Sequence, residues 1–114
     1  MTQSLSSTAI IERAMSVAAF RQKLLANNVA NVDTPGYKRF DIALEQAILA
    51  KSERAREQTV YQETASSLRV DGNNVDVEQE MANIAENSLY FDALTLALNK
   101  QLSTMRYLIT EGRR

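Results

Sequence analysis

The chain has 114 residues and contains neither cysteine nor histidine. A disulfide framework, thiolate chemistry and the usual imidazole base or metal ligand are therefore excluded, so we expect no enzyme, no cofactor and no metal site. The 13 basic and 14 acidic residues give a formal net charge of −1 and are not gathered into blocks of one sign, which argues against a nucleic-acid partner.

The composition favours one helical domain that does not enter a membrane. Aromatic residues make up 6% of the chain, and there are one proline and three glycines, which is typical of long helices rather than a sheet. No apolar run reaches the roughly 18 residues needed to span a bilayer, so we expect no lipid insertion. Because Glu12 and Arg13 interrupt the apolar stretch near the N-terminus, we expect no cleavable signal peptide. Composition alone predicts a cytoplasmic protein.

A long N-terminal helix is predicted by apolar residues at alternating spacings of four and three. Six of the seven residues in this series are apolar, and the series is Ile11, Met15, Ala18, Gln22, Leu25, Val29 and Val32. Such spacing keeps one face of a helix apolar. With Ser7 or Thr8 as the N-cap, the helix is expected over residues 8–33.

Three asparagines lie on the last turns of this helix. Asn31 follows Asn28 by three residues and Asn27 by four, so the three amides can share one face of the helix. Each amide offers both donors and an acceptor. The spacing favours hydrogen bonds from this face to a neighbouring molecule.

A tight turn is predicted directly after the helix. Pro35 lacks a backbone N–H and disfavours the α conformation at Thr34, so the helix should stop at about Asp33. Pro35 and Gly36 fit positions i+1 and i+2 of a type II turn, in which glycine supplies the positive φ. Tyr37 and the residues after it are expected to leave in an extended form.

The middle segment, residues 34–75, carries weaker signals. Apolar residues between positions 42 and 49 indicate a short amphipathic helix or an apolar patch, and residues 50–68 are expected to form a partly ordered loop. The run DGNN at 71–74 is a strong turn signal. It does not begin a calcium loop, because Val75 and Asp76 stand where an EF-hand needs an oxygen ligand and a glycine.

A second, longer helix is predicted over residues 76–111, with Asp76 as its N-cap, Glu78 and Glu80 in its first turn, and Gly112 after its last turn. Eight of ten residues in its 4,3 series are apolar, and the series is Val77, Met81, Ile84, Ser88, Phe91, Thr95, Leu98, Leu102, Met105 and Ile109. The fold class is expected to be all-α. One domain, residues 1–114, would pair long N- and C-terminal helices as an antiparallel coiled-coil hairpin around a short irregular middle segment.

The C-terminal helix carries more apolar surface than one partner helix can cover. Eight of the ten residues at positions 89–98 are apolar, and a helix that is apolar nearly all round is buried on more than one side. The N-terminal helix is about ten residues shorter and cannot cover all of it. We expect other subunits to cover the surplus. The alternative is that residues 40–61 fold back over it.

Two runs of residues resemble the signatures of a known family. The first is ANNVAN at 26–31 followed by DTPGYK at 33–38, and the second is DGNNVDVEQEM at 71–81 followed by Asn87 and Tyr90. Together they are similar to the terminal signatures of the bacterial flagellar basal-body rod proteins, and the DTPGYK form is closest to the proximal rod members. The middle segment departs from the family because it is short, and the large β-domain of hook-type relatives is missing.

The resemblance implies a structural subunit of the proximal rod, in the periplasmic part of the basal body. Such a subunit would self-assemble, transmit torque and line the export channel, and it would be exported without losing an N-terminal peptide. The implied partners are other rod proteins, the membrane ring, and the adaptor and export-gate proteins at the rod base.

The subunit interface that the resemblance implies has three parts: the amide row, the turn, and a packing stripe on the C-terminal helix. In that order the residues are Asn27, Asn28 and Asn31; Pro35, Gly36 and Tyr37; and Tyr90, Phe91, Leu94, Leu98, Leu102 and Met105.

A small cytoplasmic helical-hairpin adaptor or chaperone is the alternative function, because it would show the same apolar series. Such a protein would form a defined dimer in dilute solution. A rod subunit would stay largely monomeric, with frayed terminal helices, until it assembles.

Overall fold

The computed structural model describes residues 6–64 and 69–112. The elements in chain order are α1 (Ser7–Ala30), β1 (Phe40–Ile42), α2 (Leu44–Leu49), α3 (Glu53–Glu57), β2 (Val60–Gln62) and α4 (Val77–Glu111). The two long helices are antiparallel, because Thr8 bonds to Gln101 near one end of the pair and Asn28 to Glu80 at the other. The predicted hairpin is therefore confirmed. Within the described ranges no helix is both long and apolar enough to cross a bilayer.

The helix bounds follow local capping signals. Ser6, one residue before the predicted cap, accepts a hydrogen bond from the N–H of Ala9 and begins α1. α1 ends at Ala30, and a turn carries the chain to Asp33, so the predicted helix end is three residues too late. The carboxylate of Asp76 accepts bonds from the first N–H groups of α4, which begins and ends where the sequence predicts.

The middle segment is more regular than the sequence predicts, so the fold is not strictly all-α. β1 and β2 pair antiparallel, with Phe40 opposite Gln62 and Ile42 opposite Val60. The predicted helix near positions 42–49 is present as α2, whereas the predicted loop contains α3 and β2. Residues 65–68 of that loop lie outside the described residues. Strands of three residues are too short to produce a periodic signal, which is why the sequence did not reveal them.

The core lies on the side of α1 that faces the middle segment. Val17, Ile42 and Ala47 are buried there, and the partly buried residues packed against them are Leu24, Leu44, Ile48 and Val60. α4 covers another side of α1, where Ala18 is fully buried and its carbonyl oxygen accepts a bond from Asn87; Leu25 of α1 is fully buried as well. α1 is thus the helix that is buried on more than one side.

α4, by contrast, is covered on one side only. Glu80 and Asn87 are its two buried residues, and both belong to the face that meets α1. The middle segment packs on α1 instead of folding over α4, so the alternative in which residues 40–61 cover the surplus does not describe the fold. Leu89 and Leu96 are 70% and 71% exposed. We call the exposed apolar side of α4 the open flank; its large residues include Met81, Leu89, Leu96, Tyr107 and Leu108.

The molecule is long, thin and rich in surface for its mass. Its extents are 71 × 32 × 15 Å, and its radius of gyration is 18.5 Å, against about 13 Å for a compact chain of this length. Its accessible surface is 8216 Å², whereas a folded monomer of 12.8 kDa exposes about 6,300 Å². The chain therefore exposes more surface than a compact monomer of its mass, by an amount comparable with a protein–protein interface.

Two leucine substitutions should separate the core from the open flank. Leu25 is fully buried and Leu96 is 71% exposed, so Leu25→Ala should lower the free energy of unfolding by about 2–5 kcal/mol. Leu96→Ala should change it by no more than about 0.5 kcal/mol. Urea denaturation of the purified chain measures both. A large loss for Leu96→Ala would mean that the flank is covered within one copy.

Candidate functional site

The two motifs that stand out in the sequence contact each other. The N–H of Gly36 donates a hydrogen bond to the carbonyl oxygen of Asp71 at 2.8 Å. The N–H of Asn74 donates to the carbonyl oxygen of Tyr37 at 3.3 Å, so the two loops lie side by side. We call residues 28–41 and 71–80 the motif junction.

Two glycines give the loops their shape. The N–H of Tyr37 donates to the carbonyl oxygen of Thr34 at 3.2 Å, and Gly36 has φ 74°, as the predicted type II turn requires. Gly72 in the second loop has φ 80°, and a Cβ added there would lie 3.8 Å from the Cα of Gly36. Space is sufficient at both positions, so the positive φ is what favours glycine.

Asn73 closes the end of α1. Its Nδ2 lies 2.9, 3.0 and 2.8 Å from the carbonyl oxygens of Asn31, Val32 and Thr34. Carbonyls that follow a helix have no partner within the helix, and a buried one left unpaired is costly. The second motif therefore adds a donor to the carbonyls that follow α1, beside the N–H of Thr34 on Asn31 and the guanidinium of Arg69 on Val32.

Asn28 pairs with the backbone of Phe40 as a neighbouring strand would. Its Nδ2 donates to the carbonyl oxygen of Phe40 at 2.8 Å, and its Oδ1 accepts from the N–H of Phe40 at 3.0 Å. Oδ1 also accepts from the hydroxyl of Tyr37, and Nδ2 donates to Glu80. Asn28 is fully buried, and its amide has no donor or acceptor left for another subunit. The lateral bond predicted for Asn28 is therefore replaced by bonds within the chain.

The other two amides of the row lie nearer the surface. Asn27 is exposed and Asn31 is half-buried. Nδ2 of Asn31 donates to the carbonyl oxygen of Asn27 at 2.8 Å, and its Oδ1 accepts from the hydroxyl of Thr34 at 3.1 Å. The structure thus splits the row, with Asn28 turned inward. An interface role for Asn27 and Asn31 stays a prediction.

Arg39 joins three carboxylates from different parts of the chain. Its guanidinium bonds to Glu80 of α4, to Glu63 after β2 at 2.8 Å, and to Asp41 of β1 at 3.2 Å. Burial disfavours the charge of Arg39, but the hydrogen bonds to Glu80 and Glu63 outweigh this effect and raise its pKa. Arg39 therefore stays charged and ties the sheet to α4.

A second ion pair ties the sheet to α1. Nε and Nη2 of Arg21 donate to the two carboxylate oxygens of Asp41 at 2.9 and 3.3 Å. Burial by itself would raise the pKa of Asp41, but the bonds from Arg21 and from the N–H of Ile42 outweigh it and hold the pKa below its usual value. Asp41 is ionised at neutral pH and links α1 to β1.

Glu80 and Asn87 were not recognised as core residues from the sequence. Glu80 lies in the first turn of α4 as predicted, but it is fully buried and bonds to Arg39 and Asn28. Nδ2 of Asn87 donates to the carbonyl oxygen of Ala18 at 2.8 Å and to Oε1 of Gln22 at 2.7 Å, while its Oδ1 has no partner among the described residues. Glu80 and Asn87 are one heptad apart in the second signature, so they lie on the same face of α4. This spacing is the sequence signal that could have indicated that both residues face α1.

The predicted packing stripe on α4 is partly buried within one copy, and its role in a subunit interface stays a prediction. Phe91, Leu94 and Leu98 are half-buried. Tyr90, Leu102 and Met105 are exposed, as are the turn residues Pro35 and Gly36, whereas Tyr37 is half-buried. Because the face that meets α1 carries Glu80 and Asn87, several apolar residues of the predicted series, among them Met81, lie outside it.

The motif junction is a brace that joins distant parts of the chain. Its two buried carboxylates, Asp41 and Glu80, pair with arginines, and in the part of the chain that the structure describes no group of three His, Cys, Asp or Glu side chains could hold a metal ion. Its geometry fixes how the turn, the sheet and the two long helices are joined.

Comparison with known proteins finds relatives over most of the chain. The model of the family described as "Flagella basal body rod protein" matches residues 10–38, which run from α1 into the Pro-Gly turn. The flagellar basal body rod protein FlgB of Borrelia hermsii is 32% identical over 75% of this chain and 82% of its own length. FlgB of Escherichia coli K12 is 30% identical over 89% and 91%, and FlgB of Bacillus subtilis 168 is 29% identical over 90% and 92%.

The chain belongs to the FlgB family of flagellar basal body rod proteins. The resemblance inferred from the two motifs is thereby confirmed. In this FlgB family member the two signatures have one structural purpose, since each supplies hydrogen-bond partners for the other.

Removing the cation of the brace should destabilise the fold strongly. Arg39→Met leaves Glu80 buried without its positive partner, so the free energy of unfolding should fall by about 3–5 kcal/mol in urea denaturation. The double variant Arg39→Met with Glu80→Met should recover most of this loss, because no buried charge is left unpaired. Arg54→Met, at an exposed position on α3, is the matched control. Equal stabilities for Arg39→Met and the control would contradict the assignment.

Proposed function

We propose that the chain is a structural subunit of the proximal rod of the bacterial flagellar basal body. Membership of the FlgB family supports the rod, since the relatives are named flagellar basal body rod proteins. In this proposal the whole chain forms one rod-type domain. It assembles with further copies and with other rod proteins in the periplasm, transmits torque and contributes to the wall of the export channel.

The observation that carries the proposal is the uncovered surface of the hairpin. The chain exposes 8216 Å², about 1,900 Å² more than a compact monomer of its mass. Standard interfaces bury roughly 1,200–2,000 Å² in total. The open flank supplies apolar area of the kind that subunit packing removes from water, at about 25 cal/mol per Å².

Three regions would contact other subunits. The open flank and the packing stripe would give apolar contacts, Asn27 and Asn31 would give lateral hydrogen bonds, and the exposed turn would give a contact specific to the rod. The stripe and turn residues are Tyr90, Phe91, Leu94, Leu98, Leu102, Met105, Pro35, Gly36 and Tyr37. Asn28 would act indirectly, because it fixes the turn from inside the chain.

The wider set of partners follows from a position at the rod base. There the subunit would meet the membrane ring and the adaptor and export-gate proteins, and it would reach this place through the type III export channel.

A charge on the open flank should block assembly without unfolding the chain. Leu96→Asp places a carboxylate at an exposed site, so the purified variant should melt like the parent. In cells that lack the native gene, the variant should be absent from isolated basal bodies, and the cells should not swim. Gln58→Asp is the matched control, because it places the same charge at an exposed position after α3. When this variant replaces the native protein, it should be incorporated into basal bodies and the cells should swim.

Two results for the parent chain would overturn the proposal. If the parent chain is absent from purified basal bodies, or if it forms one defined dimer in dilute solution and stays in the cytoplasm, the helical-hairpin adaptor or chaperone becomes the better explanation. Sedimentation of the purified chain and immunoblotting of the basal bodies distinguish the two.

A further inference from the structure

A groove between α1 and α4 is lined on its α1 side by small residues. It encloses about 430 Å³, and Ala18, Ala19 and Ala26 belong to its lining. Ala19 and Ala26 are exposed and lie seven positions apart, so they follow one another along the same side of α1. We call these two residues the alanine stripe. Helix axes come closer together where the contact residues are small, so the stripe suits the side chains of a third helix.

The α4 side of the groove contains an acceptor without a donor. Asn87 is 2% exposed and belongs to the lining. Its Oδ1 accepts no hydrogen bond from any residue that the structure describes. A buried acceptor left unpaired is costly, which favours a groove that another molecule completes.

The open flank of α4 carries the large side chains that the alanine stripe lacks. Leu89 and Leu96 are 70% and 71% exposed, and they too lie seven positions apart. Both pairs therefore repeat at about 10.5 Å along their helices. Each leucine of one copy can rest on an alanine of a second copy, as a knob fits a hole. The antiparallel direction of α4 on that α1 puts Leu96 on Ala19, and the parallel direction puts Leu89 there.

Charges on the two surfaces decide between these directions. Both signs occur on each surface, so their order along the helices is what matters. Asp92 precedes Leu96 by four residues, and Lys23 follows Ala19 by four residues. In the antiparallel direction Asp92 of one copy therefore lies level with Lys23 of the second. Within the described ranges neither residue takes part in an ion pair of its own copy.

Glu12 distinguishes the two directions. It is exposed and lies seven positions before the first residue of the alanine stripe, so it extends the same side of α1. In the antiparallel direction it lies level with position 103 of α4, three positions from Lys100 and from Arg106. In the parallel direction it lies level with position 82, four positions from Glu78 and from Glu86. Only the antiparallel direction places opposite charges together.

The α4 wall of the groove favours the same direction. Thr8 bonds to Gln101 within one copy, so Asp92 in the groove lies level with about position 17 of its own α1. In the antiparallel direction the docked helix brings Lys100 to within about two positions of this carboxylate. In the parallel direction it would bring Glu86 there instead.

We infer that the open flank of one copy docks into the α1–α4 groove of a second copy, with α4 antiparallel to the α1 that it contacts. Within a copy the two helices are also antiparallel, so docked copies point the same way. The contact is heterologous, and each copy keeps one free flank and one free groove. It therefore repeats as an open array of one polarity instead of closing as a dimer. The inference rests on the proposed function, and it names which surfaces of two rod subunits meet.

Cysteine cross-linking tests both the contact and its direction, because the chain has no cysteine of its own. In isolated basal bodies under mild oxidation, Ala19→Cys with Leu96→Cys should give a ladder of dimers, trimers and longer products. Either single variant should give no ladder. The matched control is Ala19→Cys with Leu89→Cys, which the parallel direction would join. Its thiols should lie about 10 Å apart along the helices, beyond the reach of a disulfide, and should give at least tenfold less product.

Charge reversal tests the contact without cysteines. Lys23→Asp should lower incorporation into basal bodies several-fold, because it places two carboxylates together, whereas Lys23→Arg should be incorporated like the parent. Lys51→Asp, the same change at an exposed position outside α1 and α4, is the matched control. The triple variant Lys23→Asp, Asp92→Lys and Lys100→Asp again pairs opposite signs and should regain much of the lost incorporation. Equal incorporation of Lys23→Asp and the control would contradict the inference.

The outcomes separate this inference from the proposed function. If the cysteine double variant is incorporated and the cells swim, but the ladder is missing, the inference is wrong while the rod assignment stands. A ladder from the control pair instead, or dimers without longer products, would also overturn it. If the first double variant is not incorporated, Ala26→Cys with Leu89→Cys probes the same contact. Absence of the parent chain from basal bodies would refute the proposed function itself.

Discussion

The buried contact between Arg39 and Glu80 is the constraint on which the rest of the arrangement depends. Arg39 follows the Pro-Gly turn and Glu80 lies in the first turn of α4, so their pairing brings the two loops together. Either charge left alone in that position would cost several kcal/mol. Asn28 completes the pair by donating to Glu80 while it holds Phe40 in place. The direction in which the chain enters β1 is thereby fixed.

That direction decides which surfaces are covered. Because β1 leaves the junction along α1, with Arg21 bound to Asp41, the sheet and α2 pack on α1 and leave one side of α4 open. A brace made of ion pairs and amides thus determines where the apolar surface remains. The open flank of α4 is the consequence, because α1 lies between the middle segment and α4 and both of them pack on it.

The long elements were predictable from the sequence because their signals are local. Asp76 bonds to N–H groups within three residues of itself, and Pro35 acts on the residue before it. The contacts of the junction carry no such signal. Asn73 caps a carbonyl 42 residues earlier, and β1 and β2 pair across an intervening helix pair.

The buried charges were unpredictable for a related reason. Lysine, arginine and acidic residues are normally exposed, so nothing in the sequence indicates that Arg39 and Glu80 are buried. Which acid of the first turn of α4 faces α1 depends on the rotation of α4 about its axis. Partners on other elements set this rotation, and periodicity within α4 does not reveal it. The same holds for Asn87, whose partners Ala18 and Gln22 lie on α1.

The central claim is that α4 is completed only by contact with other copies or other rod subunits. Amide hydrogen exchange of the purified chain, compared with the same chain in isolated rods, tests it most directly. Residues 102–111 should exchange quickly in the free chain and slowly in the rod, while the N–H groups around Val17 and Leu25 should be protected in both. Strong protection of residues 102–111 in a free monomer would contradict the account.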